Sequence, residues 1–172
     1  MGRLTLYIAV SLDGFIADRD GGVHWLAPFD SAEYGYDAFV AGMDCLIMGR
    51  KTYEQALGFG PWPYAGKRVV VMSRRRLPDG APEGVESWDG DDVAALLERL
   101  PGQIWLVGGA QAIGTFLRAG RIDRLRLFVI PRLLGDGIRL FGGDEEAGMP
   151  PLRGVRHYST GVAELDYDTA AP

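Results

Sequence analysis

Short, almost wholly apolar runs of strand length recur along this chain, separated by stretches with helical spacing. The runs are residues 4–10 (LTLYIAV), 45–48 (CLIM), 68–73 (RVVVMS) and 103–107 (QIWLV). Runs without polar alternation fit strands buried on both faces, as in a parallel sheet. Parallel strands need crossovers, usually helices, and the intervening sequence supplies them. Tyr36, Phe39, Val40 and Met43 fall at i, i+3, i+4 and i+7, and Val93, Leu96, Leu97 and Leu100 repeat the pattern with Asp91 as the predicted N-cap. Gly49-Arg50-Lys51-Thr52 opens a short helix. Gly108-Gly109 opens another, with Ile113, Phe116 and Leu117 on its apolar face and Gly120 as its stop. A strand over 122–130 and a hairpin over 152–168, turning at Gly161, close the chain. The predicted fold is α/β, with a mostly parallel central sheet, an antiparallel C-terminal edge and helices on both faces.

With 172 residues, 47% of them hydrophobic, the whole of 1–172 reads as one domain. No linker or repeat interrupts it. A net charge of −5 argues against nucleic acid as partner, which calls for a broad basic face. The single cysteine, Cys45, excludes an internal disulfide and a multi-cysteine zinc site, and sits in an apolar run as a core residue would. His24 and His157 have no ligand spacing, so no metal is expected. No apolar stretch is long enough to span a membrane and no leader pattern opens the chain, so the expected compartment is the cytoplasm.

Three loops follow predicted strands, and in an open α/β sheet ligands bind beyond the strands' carboxyl ends. In the first, Gly49 permits a tight turn, the following N–H groups belong to a helix start, and Arg50 and Lys51 add positive charge there. Cations are disfavoured at that end of the helix dipole, so they call for an anion. The second is Ser73-Arg74-Arg75-Arg76. Between Glu54 and Asp79 there is no acidic residue, yet Lys67, Arg68 and these three arginines fall in that span. Guanidinium and hydroxyl groups at Ser73 and Arg74 suit a phosphate monoester, while Arg75 and Arg76 read as solvated. The third, Gly108-Gly109-Ala110-Gln111, fits either a phosphate cradle or close helix–strand packing.

Taken in order, Tyr7-Ile8-Ala9-Val10-Ser11-Leu12-Asp13-Gly14, Met48-Gly49-Arg50-Lys51-Thr52 and Val107-Gly108-Gly109 resemble the dihydrofolate-reductase superfamily. The Ser-Leu-Asp-Gly element is closer to the pyrimidine-reductase branch of riboflavin biosynthesis and its stand-alone bacterial relatives. The resemblance runs from about residue 4 to about residue 168. It implies NADPH as cofactor: Gly49, Arg50, Lys51, Thr52, Ser73 and Arg74 would hold the adenosine phosphate. Gly108, Gly109, Ala110 and Gln111 would hold the pyrophosphate, with Val107 before them also against the cofactor, and Ala9 with the loop from Ile16 to Trp25 would flank the nicotinamide. It also implies that the loop at Gly135-Asp136-Gly137 contacts that mobile loop.

The substrate side has fewer matches. Asp30 is the nearest counterpart of the family's acid, with an N-cap for a helix over 31–43 as the equal alternative. Asp13 is either a substrate-orienting group or ordinary Asp-Gly turn chemistry. Trp25 and Phe29 either stack on substrate or pack beneath the loop. Lys67 is the closest match to the arginine that grips a folate carboxylate, and lysine is a poor bidentate clamp. No threonine lies in 122–130, where folate enzymes carry one. These departures weigh against folate itself. The expected function is therefore NADPH-dependent reduction of a small pterin- or pyrimidine-like heterocycle. The alternative is a non-catalytic nucleotide-binding or interaction module on the same fold. A homodimer is expected: the terminal hairpin and the apolar residues Leu133, Leu134, Ile138, Leu140 and Phe141 would form a two-fold patch, unless they complete the chain's own sheet and core.

Overall fold

The computed structural model describes residues 2–30, 32–143, 148 and 150–169. The strands are β1 (Arg3–Ser11), β2 (Phe15–Ala17), β3 (Cys45–Gly49), β4 (Arg68–Met72), β5 (Val85–Trp88), β6 (Gln103–Gly108), β7 (Arg124–Ile130), β8 (Ile138–Arg139), β9 (Leu152–His157) and β10 (Ala163–Asp168). The helices are α1 (Tyr36–Ala41), α2 (Arg50–Leu57), α3 (Val93–Glu98) and α4 (Ala110–Arg118). Two 3-10 turns, His24–Phe29 and Ala32–Tyr34, lie before α1.

The main sheet has the order β5-β4-β3-β6-β1-β7-β10-β9. From β5 to β7 all neighbours are parallel, whereas β10 pairs antiparallel with β7 and with β9. This is the mostly parallel sheet with an antiparallel C-terminal edge that the apolar runs predict. β2 and β8 form a separate two-stranded ribbon. Alternation along the strands divides the core. Leu4, Leu6, Val10, Ile47, Val70, Ile104 and Leu106 face α3 and α4 through Leu96, Leu97, Ile113 and Phe116. Tyr7, Met48, Val71, Trp105 and Phe128 face the other way, toward Phe39, Tyr53 and Ala56 of α1 and α2. Helices thus cover both faces, and β6, the last parallel strand to pair on that side, slots between β3 and β1. Strand order, not strand direction, changes side there, and β3 and β6 end in the two glycine loops.

Several local expectations are corrected. The helix expected over 31–43 starts only at Tyr36. Ala32–Tyr34 is a 3-10 turn, and Gly35 before the helix has φ +64, a left-handed value that interrupts a helix. Side-chain bonds account for the displacement: the Ser159 hydroxyl donates to Glu33 and the Tyr34 hydroxyl pairs with Thr160 at 2.7 Å, tying this segment to the C-terminal hairpin. Asp30 therefore caps no α-helix; it ends the preceding 3-10 turn. Asp92, not Asp91, caps α3, accepting from the N–H groups of Ala94 and Ala95. β7 begins at Arg124, because the Asp123 carboxylate turns back to accept from Leu4 N–H at 2.6 Å. β5 and the β2–β8 ribbon have no counterpart in the sequence reading.

Candidate active site

The loops after β3, β4 and β6 lie on one rim because those strands are parallel and adjacent. Gly49 and Gly109 bring the starts of α2 and α4 together. A Cβ built on Gly109 would lie 3.1 Å from Thr52 Oγ1, 3.5 Å from Gly49 Cα and 3.6 Å from Gly49 N. A Cβ on Gly49 would meet the Gly108 carbonyl oxygen and Gly109 Cα at 3.7 and 3.8 Å. Gly109 also has φ +89, which L side chains rarely adopt. The backbone conformation favours glycine here, and a Cβ would need the Thr52 hydroxyl to give by a few tenths of an ångström. The result is that the chains entering α2 and α4 lie side by side as bare backbone, and the first N–H groups of a helix have no intrahelical partner and sit at the positive end of its dipole.

Arg50 ties the first loop to the second. Its Nη1 donates to Ser73 Oγ, Arg75 O and Arg76 O, each at 3.1 Å, while its Nε donates to Glu54 at 2.7 Å. Ser73 Oγ in turn donates to Arg75 O at 2.8 Å and accepts from Arg75 N–H at 3.1 Å. A half-buried guanidinium and a serine hydroxyl are thereby held beside the end of β4. Arg74 is exposed and paired with Asp91, Arg76 is paired with Asp79, and Arg75 has no ion-pair partner among the described residues. Lys51 and Gln111 are exposed at the first turns of α2 and α4, and Ala110 is half-buried.

On the other side of the rim stands β1. Ala9 is half-buried on the aromatic face, level with Phe128 of β7. Trp25 is buried in the same cluster, and its indole Nε1 has no hydrogen-bond partner, an orphaned donor of the kind a ligand or water satisfies. Phe29 and Val107 of β6 pack half-buried against that cluster, whereas Ile16 of β2 packs half-buried against the core on the α3 and α4 face. An aromatic wall continues from there. Phe39 stacks on Tyr7 at 4.2 Å, Phe128 packs on Tyr7 at 4.5 Å, and Tyr34 meets Phe128 edge-on at 5.9 Å. Arg126 lies over the Tyr7 ring at 4.9 Å and is paired with buried Glu164 at 2.6 Å. The sequence reading missed this wall. Only register places Tyr7, Phe128 and Arg126 side by side, and the helix that brings Phe39 over them is set by long-range ties.

The proposed acids do not sit as buried proton donors. Asp13 accepts from Ser11 Oγ at 2.6 Å, from Gly135 N–H at 2.7 Å and from Leu134 N–H at 3.1 Å. The Ser11 hydroxyl, and then these N–H groups, pull its carboxyl down to about 2 despite some opposing desolvation. Asp13 is a bracket between the turn after β1 and the 134–135 loop. Asp30 is exposed. Lys67 donates to the carbonyls of Ala41 and Met43 at 3.1 and 2.7 Å, closing the end of α1. Its ammonium serves as a helix C-terminal tie. Burial pushes the Cys45 thiol up to about 11, leaving it a neutral core group at physiological pH.

Beside the β1–β2 turn, Arg19 pairs with Asp136 and β2 with β8, so the 135–139 loop does contact the loop expected to be mobile. A hollow of about 510 Å³ there is lined by Asp18, Arg19, Asp20, Leu134, Gly135 and Asp136. It contains none of the three glycine- or arginine-bearing loops, and its carboxylates suit no phosphate.

Comparison with known proteins agrees with this architecture. A Bacillus subtilis (strain 168) protein, the uncharacterized YwjB, is 34% identical over 171 residues, covering 96% of this chain and 97% of its own length. A solved structure from Shewanella sp. PV-4, provisionally assigned as a riboflavin biosynthesis protein, superposes with a TM-score of 0.85 at 30% identity, covering 96% of this chain and 98% of that one. The riboflavin biosynthesis protein RibD of Corynebacterium ammoniagenes is 26% identical over 151 residues, 79% of this chain and 45% of that protein. Residues 3–163 match the RibD C-terminal domain family, and the chain belongs to that family of reductase-fold domains.

Proposed function

We propose that this chain is an NADPH-dependent reductase of a small heterocyclic substrate. The observation that carries the reading is the Arg50–Ser73 contact at 3.1 Å, set beside two glycine-lined helix starts whose bare backbones lie next to each other. A cradle that a single Cβ would fill suits a pyrophosphate, and a guanidinium sharing a hydroxyl suits a phosphate monoester. Bound NADPH would supply the hydride. In this reading Gly108, Gly109, Ala110 and Gln111, following Val107, surround the pyrophosphate, Gly49, Arg50, Lys51, Thr52, Ser73 and Arg74 the 2′-phosphate, and Ala9 and the loop from Ile16 to Trp25 the nicotinamide. Half-buried Phe29 and Tyr34, at the margin of the packed aromatic cluster of Tyr7, Phe39, Phe128 and Trp25, would meet a ring substrate, and the cluster behind them would keep water away. With Lys67 engaged by two carbonyls, a substrate without folate's carboxylate tail fits better than folate. NADPH is a cytoplasmic reductant, so the proposed place of action is the cytoplasm; among the described residues no helix is long and apolar enough to cross a membrane.

One observation favours the second reading, a nucleotide-binding module without catalysis. Reduction of a ring C=N needs a proton as well as a hydride, and Asp13 is held ionised while Asp30 is exposed. Turnover separates the two. NADPH oxidation followed at 340 nm against a panel of pterins and pyrimidines should show saturable consumption with at least one heterocycle. NADPH binding with no consumption across the panel would favour the module.

A further inference from the structure

We infer that Asp91 moderates the preference for the phosphorylated nicotinamide cofactor by competing with the 2′-phosphate for Arg74, an inference that rests on the NADPH reading above. Arg74 leaves β4 directly after Ser73, the residue that holds Arg50. Ser73 N–H donates to Trp88 O at 2.9 Å, so the chain leaving β5 starts level with the end of β4. Three residues on, Asp91 precedes Asp92, whose side chain is fixed by capping α3. Asp91 is thus offered to Arg74 from an anchored position. Its two oxygens accept from a single nitrogen, Arg74 Nη2, at 2.8 and 2.9 Å. This is not the side-by-side fork in which guanidinium and carboxylate bind best, and among the described residues Arg74 Nε and Nη1 have no partner.

Chemistry sets the order of competition. A phosphate monoester carries about two negative charges against one for a carboxylate, with three acceptor oxygens against two. The Arg74–Asp91 pair is 79% and 84% exposed, so water screens it and it is readily broken. The phosphate displaces Asp91, but each binding event gives up that pair and leaves a carboxylate beside the new anion. NADH brings only a hydroxyl to this position and has little to gain from Arg74. Asp91 therefore lowers affinity for the phosphorylated cofactor and leaves the other unaffected.

Titration of NADPH and NADH into wild type, Asp91→Asn, Arg74→Ala and the double variant tests this. Asp91 is exposed and caps nothing, so Asp91→Asn keeps the fold. It should tighten NADPH about two- to fivefold, the scale of an exposed pair, and leave NADH unchanged. In the Arg74→Ala background Asp91→Asn should do nothing, a result that a general change in surface charge would not produce. If wild type prefers NADPH and Asp91→Asn leaves its affinity unchanged, or shifts both cofactors equally, the inference is overturned and the NADPH reading stands. If wild type shows no preference for NADPH, the phosphate reading falls and the inference falls with it.

Discussion

Asp13 is held ionised by the same bonds that close the turn after β1 and tie it to Leu134 and Gly135. Its folded pKa of about 2 lies below the unfolded value of about 3.9. A group depressed in this way stabilises the fold above the unfolded value and loses that contribution as pH falls through the folded one. Urea midpoints should show wild type more stable than Asp13→Asn at pH 7, with the gap closing between about pH 4 and pH 2. A gap that is constant over that window would contradict the bracket. At this scale the sequence was legible where chemistry is local. Ser-Leu-Asp-Gly reads as a turn from its residues alone, and Gly14 N–H does bond to Ser11 O at 2.9 Å. It was not legible where a side chain's partner lies far along the chain. Lys67 meets carbonyls 24 and 26 residues away, and Asp13 meets N–H groups more than 120 residues away. No spacing rule encodes such pairs.

The helix starts at Gly49 and Gly109 depend on each other more than on their own sequences. Gly109→Val would put a β-branched side chain at φ +89 and against Thr52 and Gly49. It should abolish NADPH binding measured by fluorescence titration and lower stability by about 1–3 kcal/mol, leaving a folded protein by circular dichroism. Wild-type affinity in that variant would mean the cofactor passes elsewhere. Elements with buried apolar runs were readable in advance: β3, β4 and β6 coincide with their runs to within a residue or so. Those that failed are the short or weakly patterned ones. β5 is an edge strand reading Val-Glu-Ser-Trp, and β8 has two residues. Neither is long enough to show a period. The start of α1 was misplaced because Glu33 and Tyr34 are drawn to the 159–160 turn, a tertiary tie that overrides local propensity.

For the whole molecule, the mostly parallel sheet with its antiparallel C-terminal edge is the most readable feature, since a parallel sheet follows from buried runs joined by helices; the order of its strands is not legible. Assembly is less constrained. β9 is an edge strand, mostly exposed, with Leu152 and Val155 at 54% and 58%, and Leu133 and Phe141 are also exposed. Leu140 is buried in the chain's own core. An open edge beside apolar side chains favours pairing with a second copy. Light scattering behind a sizing column at micromolar concentration should give a mass near twice 18.7 kDa; a mass near 18.7 kDa itself would reject the dimer. Cofactor preference would come from a phosphate site built from the loops after β3 and β4. Calorimetric titration of wild type and Arg50→Ala with NADPH and NADH tests it most directly. Wild type should bind NADPH at least about tenfold tighter than NADH, and Arg50→Ala should remove most of that difference while leaving NADH nearly unchanged. Equal affinity of the wild type for the two cofactors would contradict the account.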